Sequence, residues 1–257
     1  MRVVLNVILA AGAVYALICI ALYLAQDRLL YLPTPEVAYP GGRALSIARG
    51  AVTLRVWELH GAARPALIYF GGNAEDVGAN IADFDAAFPA RAVYLVNYRG
   101  YGGSTGRPSE AALTADAEAI YDSLRARHDP IAIIGRSLGS GVAVALAAHR
   151  PVERLILVTP FDSIAGVAAD HFPWLPLRAL LRDRYDSVRR IGEVHAPTLV
   201  VVAEHDEVVY RARSDALIAA IAPPLRHTVM VAGATHNDVS FHPLYLHSLS
   251  AFLYRAP

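Results

Sequence analysis

The sequence predicts an α/β fold, in which a mainly parallel sheet is flanked by helices and preceded by an N-terminal transmembrane helix. Short apolar runs alternate with helical patterns along most of the chain, which is typical of repeated strand–helix–strand units. These runs are continuously apolar, as expected of strands that are covered on both faces. One much longer apolar stretch opens the chain, and an insertion between two later strands is expected to form a short cap.

The composition is that of a folded protein with a sizeable core. Of its 257 residues, 55% are hydrophobic and 18% are charged, and this balance excludes disordered and collagen-like chains. The 23 basic and 23 acidic side chains cancel, so the electrostatic footprint of a nucleic-acid-binding protein is missing. Every basic residue is arginine, and a chain without lysine is neither a P-loop ATPase nor an enzyme that forms a lysine Schiff base.

Cysteine and metal-binding patterns exclude further classes. The single cysteine, Cys19, lies in the apolar N-terminal stretch. This excludes an intramolecular disulfide, a cysteine-based zinc site and a thiol nucleophile in the polar part of the chain. No HExxH or similar cluster is present in the sequence, and we predict neither a metal nor any other cofactor.

Residues 1–28 are predicted to form a membrane anchor. Residues 3–25 carry no charge, and Asn6 is their only strongly polar side chain. At about 1.5 Å per residue, a helix of this length covers the roughly 30 Å hydrocarbon core of a bilayer. The alternative is a cleaved signal peptide, but Tyr23 and Ala25 flank Leu24, so the Ala-x-Ala pattern of a cleavage site is missing.

The charges around the anchor bear on its orientation. Arg2 and the terminal amine precede the apolar stretch, whereas Asp27 and Arg28 follow it. By the positive-inside rule this favours a body on the exoplasmic or periplasmic side. A linker rich in proline and glycine is expected over 29–42, followed by one domain over 43–257 that contains the cap insertion at 163–190.

Eight strands are predicted in this domain. The first two form an antiparallel pair within 44–59, joined near Arg49 and Gly50. Ser109 is suited to cap a helix that continues to Arg127 with an apolar stripe at helical spacing. The other six strands are 66–70, 92–97, 131–134, 154–158, 198–203 and 226–231.

A serine lies between one of these strands and a helical pattern. Ser137 is the centre of a G-x-S-x-G motif, with Gly135 and Gly139 on either side. An apolar strand enters the motif and an Ala/Val-rich helix leaves it, which is the context that a sharp, exposed nucleophile turn requires. The Leu138 N–H would then lie at a helix N-terminus, where it is able to donate to a developing oxyanion.

A serine hydroxyl is a poor nucleophile unless a histidine takes its proton and an acid orients that histidine. Asp206 follows one strand and His236 follows the next, so both are expected at strand ends. Asp162 and Glu204 compete with Asp206 as the acid. We favour Asp206, because Asp162 follows an earlier strand and its segment leads into the cap.

Four segments together resemble the alpha/beta-hydrolase superfamily over residues 43–255. They are YFGGNAED, NYRGYGGSTGRPSE, GRSLGSG with its AEHDEVV and GATHND partners, and HFPWLPLRALLRDRYDS. The chain is most similar to small membrane-anchored serine hydrolases that include depalmitoylating thioesterases and yeast bud-emergence hydrolases. Their motifs are specific for the family and not for a substrate.

The resemblance implies a role for each matching residue. Ser137 corresponds to the nucleophile, Asp206 to the orienting acid and His236 to the general base. The oxyanion donors correspond to the Leu138 N–H and to a second N–H within the Gly-Gly-Asn segment, for which we choose Asn73. Relatives usually carry histidine where this chain has Gly71, which affects the shape of that loop and its second donor.

The cap bears on the substrate. Phe172 and Trp174 lie in an apolar, proline-stiffened segment that is expected to cover the site. Their side chains would select acyl chains if they face the pocket; alternatively, they pack the cap onto the body. Arg136 is expected either to meet an anionic substrate group or to form a salt bridge.

The leading hypothesis is a membrane-anchored serine hydrolase that cleaves carboxylic esters or thioesters of small or lipidic acyl substrates. One alternative is a serine peptidase or amidase that uses the same triad. The other is a non-catalytic binding protein with a hydrolase fold. Because all three triad residues are present, the catalytic hypotheses are favoured.

Overall fold

The computed structural model confirms the predicted α/β fold. It describes residues 1–255; residues 256 and 257, at the end of the predicted domain, lie outside the described residues. Eight strands form one sheet in the order β1-β2-β4-β3-β5-β6-β7-β8. The strands from β4 through β8 in this order run parallel, whereas β2 is antiparallel to both of its neighbours. Their bounds are Arg43–Arg49 (β1), Val52–Leu59 (β2), Ala66–Phe70 (β3), Ala92–Val96 (β4), Ile131–Arg136 (β5), Leu155–Val158 (β6), Thr198–Ala203 (β7) and Arg226–Val231 (β8).

Helices connect these strands, and one long helix precedes them. The predicted N-cap Ser109 accepts a hydrogen bond from the Ala112 N–H at the start of α3. The bounds are Arg2–Leu30 (α1), Ile81–Ala87 (α2), Glu110–Arg125 (α3), Leu138–His149 (α4), Ile164–His171 (α5), Leu177–Leu180 (α6), Ser187–Arg190 (α7), Arg211–Ala220 (α8) and Pro243–Leu253 (α9). Short 3-10 helices occupy Val77–Asn80, Ile191–Glu193, Pro223–Leu225 and Val239–Phe241.

The predicted strands agree with the observed ones to within two residues at each end. This agreement has a physical reason. Strands β3 to β7 are buried along their whole length, apart from the half-buried Arg136 at the end of β5, so their sequences are nearly continuous apolar runs. Helices α3 and α4 contribute to the apolar cluster on one face of the sheet, and α2 and α9 contribute to the cluster on the other.

The cap lies between β6 and β7 and is built from α5, α6 and α7. Ser163, the first residue of the predicted insertion, caps α5 by accepting a hydrogen bond from the Gly166 N–H at 3.0 Å. Helix α6 is only four residues long, so loops make up much of the cap. Tyr185, near its end, is fully buried against the body.

Helix α1 extends two residues beyond the predicted anchor, to Leu30. Only 6% of its most apolar 18-residue window is buried, so α1 is not a core helix of the domain. The chain then turns at Tyr31, which is buried and donates its hydroxyl to Asp183 of the cap at 2.7 Å. The long helix is therefore attached to the body at its C-terminal end and exposes apolar side chains elsewhere.

The turn between β5 and α4 depends on two glycines. A Cβ at Gly135 would collide with the backbone of Gly139, and a Cβ at Gly139 would collide with the carbonyl oxygen of Phe70. These neighbours are backbone atoms that side-chain rotation does not move. Only glycine at both positions allows α4 to start this close to β3 and β5.

Replacing Gly139 with alanine should therefore over-pack this turn. We expect Gly139→Ala to lower the free energy of unfolding by about 1–3 kcal/mol or more, as over-packed cores do. The measurement is thermal unfolding of the detergent-solubilised protein. Gly192→Ala is the matched control, because a Cβ at Gly192 has no atom within 4 Å. Equal melting temperatures for the two variants would contradict the packing argument.

Candidate active site

Ser137 occupies a strained turn at the carboxyl edge of the sheet. It lies between the last residue of β5 and the first residue of α4, with φ +48° and ψ −116°. A positive φ is costly for a residue with a side chain and persists only where the surrounding structure enforces it. The turn leaves Ser137 half-buried, with its hydroxyl at the surface of a pocket.

The side chains of Ser137, His236 and Asp206 form a continuous hydrogen-bonded chain. His236 Nε2 lies 2.9 Å from Ser137 Oγ, and its Nδ1 lies 2.9 Å and 3.0 Å from the two carboxylate oxygens of Asp206. The side chains of His236 and Asp206 are only 7% and 5% exposed, so bulk water competes little with this hydrogen bond. The three residues follow β5, β7 and β8, whose carboxyl ends meet at the same sheet edge.

The backbone holds Asp206 in place. Its Oδ1 accepts hydrogen bonds from the N–H groups of Val208 at 3.0 Å and Val209 at 2.7 Å. Two backbone donors to one carboxylate oxygen fix the direction of the carboxylate. Asp206 is thus oriented toward His236 independently of the histidine itself.

The two competing acids are engaged elsewhere. Asp162 pairs with Arg213 at 3.0 Å, and its other oxygen accepts from the Ser163 N–H. Glu204 accepts a hydrogen bond from the Gly233 N–H at 2.8 Å. Within residues 1–255, neither carboxylate contacts His236, so Asp206 is the one of the three candidate acids that contacts the histidine ring.

The loop after β3 faces Ser137. A Cβ at Gly72 would lie 3.6 Å from Ser137 Cβ, so the loop backbone lies against the serine. The backbone N–H groups of Leu138 and Asn73 have no hydrogen-bond partner among residues 1–255. The Asn73 side chain is held from behind, since its Oδ1 accepts from the Leu32 N–H and the Tyr101 hydroxyl, both at 3.0 Å.

Gly71 leaves no space for a larger residue. A Cβ there would lie 2.6 Å from the Val77 side chain and 3.2 Å from the Glu75 carboxylate. Whatever role the histidine of relatives has, this chain does not accommodate one at that position without moving Val77 or Glu75. The loop shape in this protein depends on Glu75 instead.

Sequence reasoning missed Glu75. Its carboxylate accepts hydrogen bonds from the Gly72 N–H and the Tyr69 hydroxyl, both at 2.6 Å, and from the Asn80 amide at 2.8 Å. Burial raises the pKa of Tyr69 well above its ordinary value, so its hydroxyl stays protonated and donates. An acid three residues after a Gly-Gly pair at a strand end was the available signal, because such an acid is able to reach back to the loop N–H groups.

Arg136 forms the salt bridge that was one of its two predicted roles. Its guanidinium lies 3.6 Å from Glu75 and donates to the carbonyl oxygens of Asn237 at 3.2 Å and His236 at 3.4 Å. Arg136 thus connects the loop after β3 with the loop that carries His236. The Arg136 guanidinium therefore stabilises the loops on both sides of Ser137.

The pocket around Ser137 has a volume of about 390 Å³. Its lining includes Asn73, Glu75, Arg136 and His236, and it does not include Phe172 or Trp174. The structure places those two aromatic residues on the side of the cap that faces α1, where both are about half exposed. Their assignment as substrate-binding residues stays a prediction.

Comparison with known proteins identifies relatives. A family model described as "Serine aminopeptidase, S33" matches residues 79–181. An uncharacterized protein of Mycobacterium tuberculosis is 42% identical over 229 residues, which are 83% of this chain and 81% of that protein. The human alpha/beta hydrolase domain-containing protein 17B is 31% identical over 198 residues, or 74% of this chain and 67% of that protein.

Solved structures share the fold. An esterase of Pyrococcus furiosus superposes with a TM-score of 0.68 at 15% identity, covering 86% of this chain and 98% of that one. A hydrolase of Pseudomonas aeruginosa superposes with a TM-score of 0.64 at 21% identity, covering 83% and 99%. The sheet order and the nucleophile turn agree with the sequence relatives. The chain therefore belongs to the alpha/beta-hydrolase superfamily.

Proposed function

We propose that this protein is a membrane-anchored serine hydrolase that cleaves carboxylic esters or thioesters through an acyl-enzyme. The observation that carries the proposal is the hydrogen-bonded chain from Asp206 through His236 to Ser137. This arrangement is what an activated serine requires: a base within reach of the hydroxyl and an acid that orients the base. A hydrolase-fold protein without catalytic activity has no need to keep all three groups in register.

In the proposed mechanism, Ser137 Oγ attacks the carbonyl carbon of the substrate while His236 Nε2 takes the hydroxyl proton. Asp206 stabilises the imidazolium that forms. His236 then gives the proton to the leaving alcohol or thiol, and the acyl group remains on Ser137. A water molecule repeats the sequence and releases the carboxylic acid.

Two backbone donors are proposed for the oxyanion. The Leu138 N–H lies at the start of α4 and benefits from the positive end of the helix dipole. The Asn73 N–H is the second donor, in a loop where a Cβ at Gly72 would lie 3.6 Å from Ser137 Cβ. Pre-positioned donors of this kind stabilise the tetrahedral intermediate because they do not have to reorganise during the reaction.

Glu75 is proposed as a positioning residue for this oxyanion loop. It accepts from the Gly72 N–H and forms an ion pair with Arg136. Both contacts hold the backbone of the loop at a set distance from Ser137. Glu75 would therefore affect catalysis through the loop and not through direct contact with the substrate.

An aminopeptidase is the second candidate, because the matching family model is described by that activity. Recognition of a substrate amine would require a free carboxylate in the pocket. The acidic residue in the pocket lining is Glu75. Its oxygens already accept hydrogen bonds from Tyr69, Gly72 and Asn80. This engagement favours neutral ester and thioester substrates.

Membrane anchorage by α1 is the remaining part of the proposal. The helix is apolar and almost entirely exposed, as expected of a segment that faces lipid. Its hydrogen bonds to the cap, from Tyr15 and Gln26, favour retention in the mature protein over removal as a signal peptide. With Arg2 on the inner side, the body would lie on the exoplasmic or periplasmic side.

A fluorophosphonate probe tests the activated serine. We expect the wild-type protein to be labelled in detergent and Ser137→Ala to lose labelling completely. Asp206→Asn should slow labelling on the order of 10⁴-fold, because the histidine then adopts the wrong tautomer. Asp162→Asn is the matched control and should label at the wild-type rate. Folded wild-type protein that is not labelled would contradict the proposal and favour the binding-protein alternative.

A second variant tests the oxyanion loop. Glu75→Gln should slow probe labelling by about tenfold or more, since removing one oxyanion donor costs about 10²–10³ in rate. Glu204→Gln is the control, because Glu204 also accepts a backbone N–H but lies outside the pocket. Labelling at equal rates in both variants would show that Glu75 does not position the loop.

A further inference from the structure

The cap contacts α1 from the middle of the helix to its C-terminal end. Near its middle, Tyr15 donates its hydroxyl to the Trp174 carbonyl oxygen at 2.8 Å, and the two rings lie 6.4 Å apart. Near its end, Gln26 accepts from the Arg182 N–H at 2.8 Å, and Asp27 forms an ion pair with the Arg182 guanidinium at 2.8 Å. At about 1.5 Å per residue, the contact covers roughly 18 Å of helix.

The length of α1 limits where this contact lies. Between Arg2, at the start of the helix, and Tyr15 there is only about 20 Å of helix. A bilayer has a hydrocarbon core of about 30 Å, and tilting the helix shortens its reach further. If Arg2 reaches the far interface, Tyr15 and its partner Trp174 must both lie inside the hydrocarbon.

The cap surface at this depth has the chemistry that hydrocarbon requires. Residues 172–177 read FPWLPL and contain no charged or amide side chain. Phe172 and Trp174 are 50% and 55% exposed. The first arginine of the cap, Arg178, comes directly after this segment, and Arg182 pairs with Asp27 at the charged end of α1. The boundary between apolar and charged residues on the cap therefore matches the boundary on the helix.

Most backbone groups of this segment are also suited to lipid, although the Trp174 N–H and the Pro173 carbonyl oxygen have no hydrogen-bond partner among residues 1–255. An unpaired N–H or carbonyl group in hydrocarbon costs several kcal/mol. Pro173 and Pro176 have no N–H to satisfy, and the Leu175 N–H donates to the Phe172 carbonyl oxygen at 3.1 Å. The Trp174 carbonyl oxygen accepts from the Tyr15 hydroxyl. Tyr15 thus supplies from the helix the partner that water would supply in solution.

A cavity of about 380 Å³ separates α1 from the cap. Its lining is almost wholly apolar and includes Ile18 and Leu22 of the helix and Trp174, Leu177 and Leu181 of the cap. If Arg2 reaches the far interface, the part of the cavity beside Ile18 and Trp174 lies at the depth of the hydrocarbon, and the part beside Gln26 lies at the interface next to the body. The occupant of this deeper part should therefore be hydrocarbon and not water.

We propose that residues 172–177, which we name the cap tip, are inserted into the hydrocarbon of the bilayer leaflet next to the body. Lipid acyl chains fill the cavity between the cap tip and α1. The inference rests on the membrane anchorage proposed above and goes further, because an anchor alone leaves the cap in water. A second copy of the chain or a partner protein covering the tip is an alternative that the experiment distinguishes.

The insertion would bring the bilayer to the edge of the catalytic pocket. The residue before the cap tip, His171, donates from Nε2 to the Val208 carbonyl oxygen at 2.9 Å. Val208 lines the pocket of Ser137, and its N–H holds Asp206. Substrates whose acyl chain resides in the bilayer would thus meet the pocket from the membrane side.

The two tryptophans of the chain allow a direct test. Trp57→Phe leaves Trp174 as the only indole, at the cap tip, whereas Trp174→Phe leaves Trp57, a half-buried residue of β2. Each full-length variant is reconstituted into phosphatidylcholine vesicles with or without bromine atoms on the acyl chains. We expect Trp174 to lose most of its emission in the brominated vesicles and to be protected from aqueous iodide. Trp57 should be unaffected by the brominated lipid.

Three other results would overturn the proposal. In the first, iodide but not bromine quenches Trp174 and the protein resists extraction by alkaline carbonate. The cap then lies in water, although α1 still anchors the protein in the membrane. If carbonate extracts the protein, the anchor fails and the insertion fails with it, independently of Ser137 labelling. If neither quencher reaches Trp174, protein covers the cap tip. Far-UV circular dichroism and thermal unfolding of both variants verify that each is folded.

Discussion

The close approach of α4 to the carboxyl ends of β3 and β5 is the constraint on which the rest of the structure depends. It exists because Gly135 and Gly139 carry no Cβ where backbone atoms of neighbouring elements lie. The approach forces Ser137 into a positive φ and directs its hydroxyl out of the turn. It also brings the start of α4 beside the loop after β3, where the two backbone N–H groups proposed for the oxyanion lie. The same close approach thus determines the packing of the turn and the position of Ser137.

A second layer of contacts keeps this arrangement in register. Glu75 and Arg136 are half-buried charges, with side chains only 12% and 13% exposed, and an unpaired charge in such a place would be destabilising. Their pairing with each other, together with the backbone and hydroxyl partners of Glu75 and the carbonyl partners of Arg136, connects the loops on both sides of Ser137. The Leu32 N–H, two residues after α1 ends, holds the Asn73 side chain from the outside. The segment after helix α1 and the proposed oxyanion loop are thus linked through the Asn73 side chain.

Much of this could be predicted from the sequence, for local reasons. Strands buried on both faces leave continuous apolar runs, and residues that follow parallel strands meet at one edge, so Ser137, Asp206 and His236 were expected to converge. Glu75 was not predicted, because its role depends on the folded path of the Gly71–Gly72 turn. The contact between Tyr15 and Trp174 was also not predicted. It joins residues 159 positions apart, and no periodicity in either segment indicates it. Phe172 and Trp174 line the cavity next to α1, which their sequence context did not indicate, and their role in substrate binding stays a prediction.

The central claim of this account is that Ser137 becomes acylated during turnover. The most direct measurement is mass spectrometry of the peptide that contains Ser137, after rapid mixing of the full-length protein with a matched long-chain ester, thioester and amide. The account predicts an acyl mass on Ser137 with the ester and the thioester, and little or none with the amide. Product release with no acyl group on Ser137, or an acyl group on another residue, would contradict it.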